Sequence, residues 1–244
     1  FRSVSGARPF AVEYYIWART FDPDNQRAID RSGLALGGFT QFQAKAATGG
    51  FSLAELQAML TPLGCTLLPQ GELGVPEAPE PYRTFVENAL TKARNAARHT
   101  GLPALADDAG LCVDAFGGLP GVDTAYYATQ YGYEKGDDNN VLALLEQMKN
   151  IDNRRAAMVS TLVAVRSADD PEPLIAVGRV VGEIARERLG SNGFGFDPVM
   201  WIPEFGQTFA QLPNEVKNAN SHRGRSAKAM SALIREHWLV GAAA

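Results

Sequence analysis

The chain has 244 residues, 45 % of them hydrophobic and 20 % charged, which suits a soluble folded protein with a sizeable core. Its net charge of −4 argues against nucleic-acid binding through a general basic surface, so a polyanionic ligand would need a local basic cluster. No apolar run approaches the ~18 residues of a membrane span, no signal-peptide layout is present, and Cys65 and Cys112 lack metal-motif spacing; the expectation is reduced thiols in a cytoplasmic protein.

Residues 1–43 fit nothing that follows and are set apart from a domain at 44–240, although Phe10 to Ala18 (FAVEYYIWA) has the aromatic and β-branched content of a strand. The start at Phe1 leads one to expect a fragment, a processed product or a divergent N-terminal coding sequence. Thr48, Gly49 and Gly50 form a glycine-rich turn before a helix. Ser52-Leu53-Ala54-Glu55 is a capping box that opens a helix to about Leu63, and Cys65 to Leu68 is a short strand. Residues 69–83 are proline-rich and acidic, a surface connection or a lid.

From Arg83 to about His99 the pattern is helical, with Phe85, Ala89, Ala93 and Ala96 on one face. Glu87 stands where a capping box places its acid after Thr84, and it shares a polar face with Arg94 and Arg98. After Gly101-Leu102-Pro103, the run from Ala104 to Ala106 predicts a short buried strand with Asp107 and Asp108 at its carboxyl end, where open α/β sheets bind ligands. Alternation lets one aspartate face a cleft and leaves the other structural. One helix carboxylate and one strand carboxylate, completed by phosphates and waters, would suit magnesium; a pair of solvated turn aspartates explains Asp107 and Asp108 almost as well.

Further on, residues 117–121 form a glycine turn, and residues 137–149 a helix with Val141, Leu144, Leu145 and Met148 inward. Ala157 to Val165 and Leu174 to Val181 read as an antiparallel hairpin. Phe194, Gly195, Phe196 and Asp197 form either a tight turn with buried rings or a slot in which Phe194 stacks on a flat base while Asp197 meets its edge. Lys217, His222, Arg223 and Arg225 surround Ser221 at the start of the last helix. Cations there oppose the helix dipole, which points to a bound anion or acceptor, with a solvated charged turn as the alternative.

FVENALTKARNAA, LPALADDAGLCVDAFGGLPGVDTAYYA, SNGFGFDPVMWIP and KNANSHRGRSAKAM, in this order across roughly residues 46–238, resemble the motifs of the inosine triphosphate pyrophosphatase family. The resemblance implies an α/β fold, an elongated mixed β-sheet flanked by helices, in two lobes with a central nucleotide cleft, and a homodimer. It implies magnesium-dependent hydrolysis of ITP, dITP and XTP to monophosphate and pyrophosphate, with Asp108 as general base and metal contact and Glu87 as second metal ligand. Thr48, Gly49, Gly50, Arg98, Ala109, Phe194, Gly195, Phe196, Asp197, Lys217, His222 and Arg223 would bind substrate. The family's phosphate turn reads T-x-N-x-x-K, after a first strand that would fall at Phe42 to Ala46. Here Gly50 replaces the asparagine and no lysine follows, so an impaired nucleotide-binding relative is the alternative. Ala109 stands where serine is common, and Arg98 where lysine is.

Overall fold

A computed structural model of the protein describes residues 14–19, 53–63, 65–68 and 70–239. In chain order the regular elements are β1 (Tyr14–Arg19), α1 (Leu53–Leu60), β2 (Cys65–Leu68), α2 (Phe85–Thr100), β3 (Ala104–Val113), α3 (Asp137–Gln147), β4 (Arg155–Val165), β5 (Leu174–Ile184), β6 (Met200–Ile202), β7 (Gln207–Thr208), α4 (Asn214–Asn220) and α5 (His222–Ile234). A long 3₁₀ stretch, Gly121–Tyr131, lies between β3 and α3.

The strands form one seven-stranded sheet in the order β2-β1-β3-β4-β5-β6-β7. The class is α/β as expected, but every described pairing is antiparallel where a mixed sheet was expected. The predicted hairpin is present and is longer than its sequence signal, pairing Arg155 with Glu183 at one end and Ala164 with Leu174 at the other. The segment set apart at the N-terminus contributes β1, which pairs with both β2 and β3. The strand expected at 42–46 lies outside the described residues.

β3 is much longer than the predicted run from Ala104 to Ala106, because β4 supports it in register along its whole length, from Ala104 opposite Val165 to Val113 opposite Ala156. Asp107 and Asp108 therefore sit inside a strand and not at its end. β1 pairs with β3 only at Ala104–Ala106, so the aspartates mark the place where that neighbour stops.

Two hydrophobic cores fit the expected two lobes. The first joins α1, α2, the Ala104–Ala106 end of β3 and α5 through Leu56, Leu60, Ala89, Ala93, Met230 and Ile234. The second joins the far end of β3 to α3 and β6 through Leu111, Tyr127, Val141, Leu144, Met200 and Phe196. Asp107 and Asp108 lie between these two groups of apolar residues along β3.

Candidate active site

α2 begins where its capping residues predict. Thr84 Oγ1 accepts from Glu87 N at 3.4 Å and donates to Glu87 Oε2 at 2.5 Å. Glu87 is thus an exposed capping residue. The inward stripe of the helix carries two polar side chains among its alanines, Asn88 and Lys92, each 1 % exposed.

Lys92 Nζ donates to Asp108 Oδ1 at 2.9 Å and to the Asp107 carbonyl at 3.2 Å, and it pairs with Glu80 Oε2 at 2.6 Å. A buried ammonium needs this degree of compensation. Asn88 Nδ2 donates to Asp108 Oδ2 at 3.3 Å. The same amide group donates to the Tyr82 carbonyl at 3.2 Å, and Asn88 Oδ1 accepts from Tyr82 N at 3.1 Å. These bonds pin the 69–83 connection to α2 at Tyr82, so Glu80 lies over Lys92 and the segment read as a surface connection delivers an acid to the site. Burial, outweighing Lys92, pushes the Asp108 carboxyl up to about 6, with Glu80 adding repulsion.

Asp107 faces the other side of the sheet, as strand alternation requires. Its Oδ1 accepts from Ser160 Oγ at 2.6 Å and its Oδ2 from Arg223 Nε at 3.0 Å. Arg223 comes from the first turn of α5, where Ser221 Oγ accepts from Gly224 N at 3.0 Å as helix cap. That turn rests directly on β5: a Cβ at Gly178 would lie 1.9 Å from the His222 carbonyl.

Beside it is a narrow pocket lined by Phe194, Asp197, Lys217, Asn218, His222 and Arg223, among others. Lys217 Nζ lies 5.2 Å and the Arg223 guanidinium 5.6 Å from the Phe194 ring centre. Lys217 Nζ pairs with Asp197 Oδ2 at 2.6 Å, and both side chains are buried. Asp197 also accepts from Phe194 N at 2.8 Å, and Asp137 Oδ2 accepts from Gly195 N at 2.9 Å, so two carboxylates shape the loop. His222 Nε2 is 3.3 Å from Arg223 Nη1.

The structure thus gathers Asp108 in one cluster and Phe194, Asp197, Lys217, His222 and Arg223 in another. It does not bring every predicted residue there. Arg98 is exposed in the last turn of α2, beyond Lys92. Phe196 is packed in the second core, edge-on to Tyr127 at 6.4 Å. Ala109 is half-buried opposite Ser160, on the Asp107 face. Thr48, Gly49 and Gly50 lie outside the described residues. Sequence reasoning missed Glu80, Asn88 and Lys92. For the last two a signal existed: they fall on the alanine stripe, where an unpaired polar residue would be costly.

Among the described residues no group of three or more His, Cys, Asp or Glu side chains could hold a metal by itself. Oxygen donors from Asp108 and Glu80 are nevertheless the kind that a hard divalent cation takes when substrate phosphates and waters complete its shell. Among the described residues, no helix is long and apolar enough to cross a membrane.

Fold and site define an α/β protein in which a lysine-bridged acidic cluster and a cation-lined aromatic pocket share one strand. The chain belongs to the Ham1 family, whose model matches residues 52–233. It is 81 % identical over 187 residues to the dITP/XTP pyrophosphatase of Albidiferax ferrireducens, covering 77 % of this chain and 94 % of that one. It is 51 % identical over 197 residues to the protein of the same name from Leptothrix cholodnii, with 76 % and 93 % covered. Among solved structures it is similar to a HAM1 protein from Coxiella burnetii, at 42 % identity and a TM-score of 0.72, over 75 % of this chain and 93 % of the other. The Staphylococcus aureus Ham1 protein matches at 35 % identity and a TM-score of 0.62, over 67 % and 83 %.

Proposed function

We propose that the chain is a pyrophosphatase that hydrolyses non-standard purine nucleoside triphosphates, dITP, ITP and XTP, to the monophosphate and pyrophosphate. The observation that carries this reading is the dipeptide Asp107-Asp108, which ties an acidic, lysine-bearing cluster on one face of the sheet to an aromatic, cationic pocket on the other. The names of the relatives agree with it. The impaired alternative rests on the turn at Thr48–Ser52, outside the described residues, and no observation favours it.

In this reading Asp108 takes the proton from the water that attacks the α-phosphorus, and pyrophosphate leaves with the bond electrons. Asp108 and Glu80 would hold magnesium, which supplies neutralising charge to the phosphates. Glu87, whose carboxylate is engaged by Thr84, is the less suitable second ligand. Lys92 holds Asp108 in place and offers a fixed positive charge to the phosphate oxygens. Phe194 receives the base, while Lys217, His222 and Arg223 aim donors at a 6-keto oxygen. Adenine offers an amino group there and would leave those donors unpaired.

The reading implies work on free nucleotides in the cytoplasm, with no nucleic-acid or membrane partner. The outward face of β5, where Ile175, Val177 and Val181 are 45, 56 and 43 % exposed, supports a homodimer; sedimentation at micromolar concentration reads this directly. The test of function is pyrophosphate release from dITP, ITP and XTP beside ATP and GTP, with and without magnesium. Magnesium-dependent release confined to the first three is expected, and equal turnover of ATP would overturn the base assignment.

A further inference from the structure

Asn218 lines the Phe194 pocket from α4 and is 9 % exposed. Its Nδ2 donates to Glu55 Oε1 on α1. A carboxylate offers only acceptor oxygens, so Glu55 fixes which way the amide points. The other end, Oδ1, is shut off from solvent and has no hydrogen-bond partner among the described residues. A buried acceptor without a donor is costly and calls for one from outside the fold.

A ligand N–H finds few other acceptors in the pocket. Lys217 and Arg223 are donors, and Asp197 is engaged by Lys217 and by Phe194 N. Lys217 and Arg223 also lie 5.2 and 5.6 Å from the Phe194 ring centre, within reach of the edge of a base stacked on that ring. From the proposed base site, and resting on that reading, we infer that Asn218 Oδ1 accepts the ring N1–H of a 6-oxopurine. The lactam edge of hypoxanthine presents a donor at N1 beside an acceptor at O6. Asn218 and the cationic donors complement it in that order. Adenine presents an acceptor at N1 and a donor at its amino group, the reverse pattern. Asn218 is therefore a specificity-determining residue, held in orientation by Glu55 of α1.

The experiment is equilibrium binding of inosine, guanosine, 1-methylinosine and adenosine monophosphates to the full chain, with Asn218→Leu and Glu55→Gln variants and dITP hydrolysis alongside. Asn218→Leu removes the acceptor at nearly constant volume. Inosine and guanosine monophosphate affinity should fall about 10- to 100-fold. 1-Methylinosine monophosphate, which lacks the N1–H, should bind the variant no worse than it binds the parent protein. Glu55→Gln frees the amide to turn and should lower inosine monophosphate affinity with a smaller change for adenosine monophosphate. It reports on the same contact if Asn218→Leu fails to fold. Unchanged inosine-to-adenosine selectivity in both variants, with dITP hydrolysis intact in the parent, overturns this inference alone. Failure of the parent protein to hydrolyse dITP overturns the proposed function instead.

Discussion

Asp107 and Asp108 are neighbours in β3 that bind cations on opposite faces of the sheet, Asp107 to Arg223 at 3.0 Å and Asp108 to Lys92 at 2.9 Å. One strand residue thereby serves the proposed phosphate chemistry while the next braces the helix that reads the base. A shift of β3 by one residue would exchange the two faces and destroy both clusters.

Asp108→Asn separates activity from stability. As general base, Asp108 is worth about 10³-fold in kcat, so turnover should fall by that order. The stability sign is opposite. The folded pKa of Asp108 stands raised at about 6, above the unfolded value near 3.8. The protonated carboxyl therefore favours the fold at pH below the unfolded value, and this contribution is lost as pH rises through about 6. In chelator at pH 7.5, Asp108→Asn should melt higher than the parent, and the two should converge near pH 4. A variant that melts lower at pH 7.5 would refute the claim that burial dominates at Asp108.

Glu80 and Glu87 make competing predictions for the metal. Glu80→Gln leaves Lys92 with one carboxylate fewer and removes a hard oxygen donor; activity at limiting magnesium should fall about 10- to 100-fold and recover in part at high magnesium. Glu87→Gln removes only a capping contact and should cost about 0.5–1 kcal/mol of stability with magnesium dependence unchanged. Magnesium titrations of the two variants decide between them, and the reverse ranking would return the metal to Glu87.

The pattern of legibility follows from where each residue sits. Arg223 stood out because a cation at a helix start opposes the dipole, whereas Asp108 and Lys217 stood out through the family resemblance, since a solvated turn accounts for their local signals almost as well. α2 and its cap were legible because the signals are local, within four residues of Thr84. Glu80 was hidden because a proline-rich connection has no periodicity, and only the long-range Asn88–Tyr82 bonds aim it at the site. The length of β3 was hidden for a similar reason. Residues 107–113 contain acids and glycine, poor strand formers, and it is pairing with β4 that makes them a strand.

Gly178 sets how closely α5 approaches the sheet. A methyl group there would meet the His222 carbonyl at 1.9 Å and Ser226 N at 2.5 Å, both backbone atoms that cannot rotate away. Gly178→Ala should therefore lift the turn that carries His222 and Arg223, costing about 1–3 kcal/mol of stability. Base recognition should suffer more than chemistry: KM for dITP is expected to rise about tenfold or more while kcat changes less. Steady-state kinetics beside a denaturant melt would show this, and a KM equal to that of the parent would mean the helix position does not set base affinity.

The buried pair Lys217–Asp197 allows structure and recognition to be separated. Lys217→Met strands the Asp197 carboxylate, whose remaining described bond is from Phe194 N, and should cost about 3–5 kcal/mol. Adding Asp197→Asn removes the uncompensated charge, so the double variant should regain most of that stability. It should not regain base selectivity, because the ammonium aimed across the Phe194 ring is gone. A melt series on the parent, both single variants and the double variant gives the coupling energy, and dITP-to-ATP selectivity gives the functional part. If the double variant recovers selectivity along with stability, Lys217 acts only as a brace for the Phe194 loop, and the donors to the base reduce to His222 and Arg223.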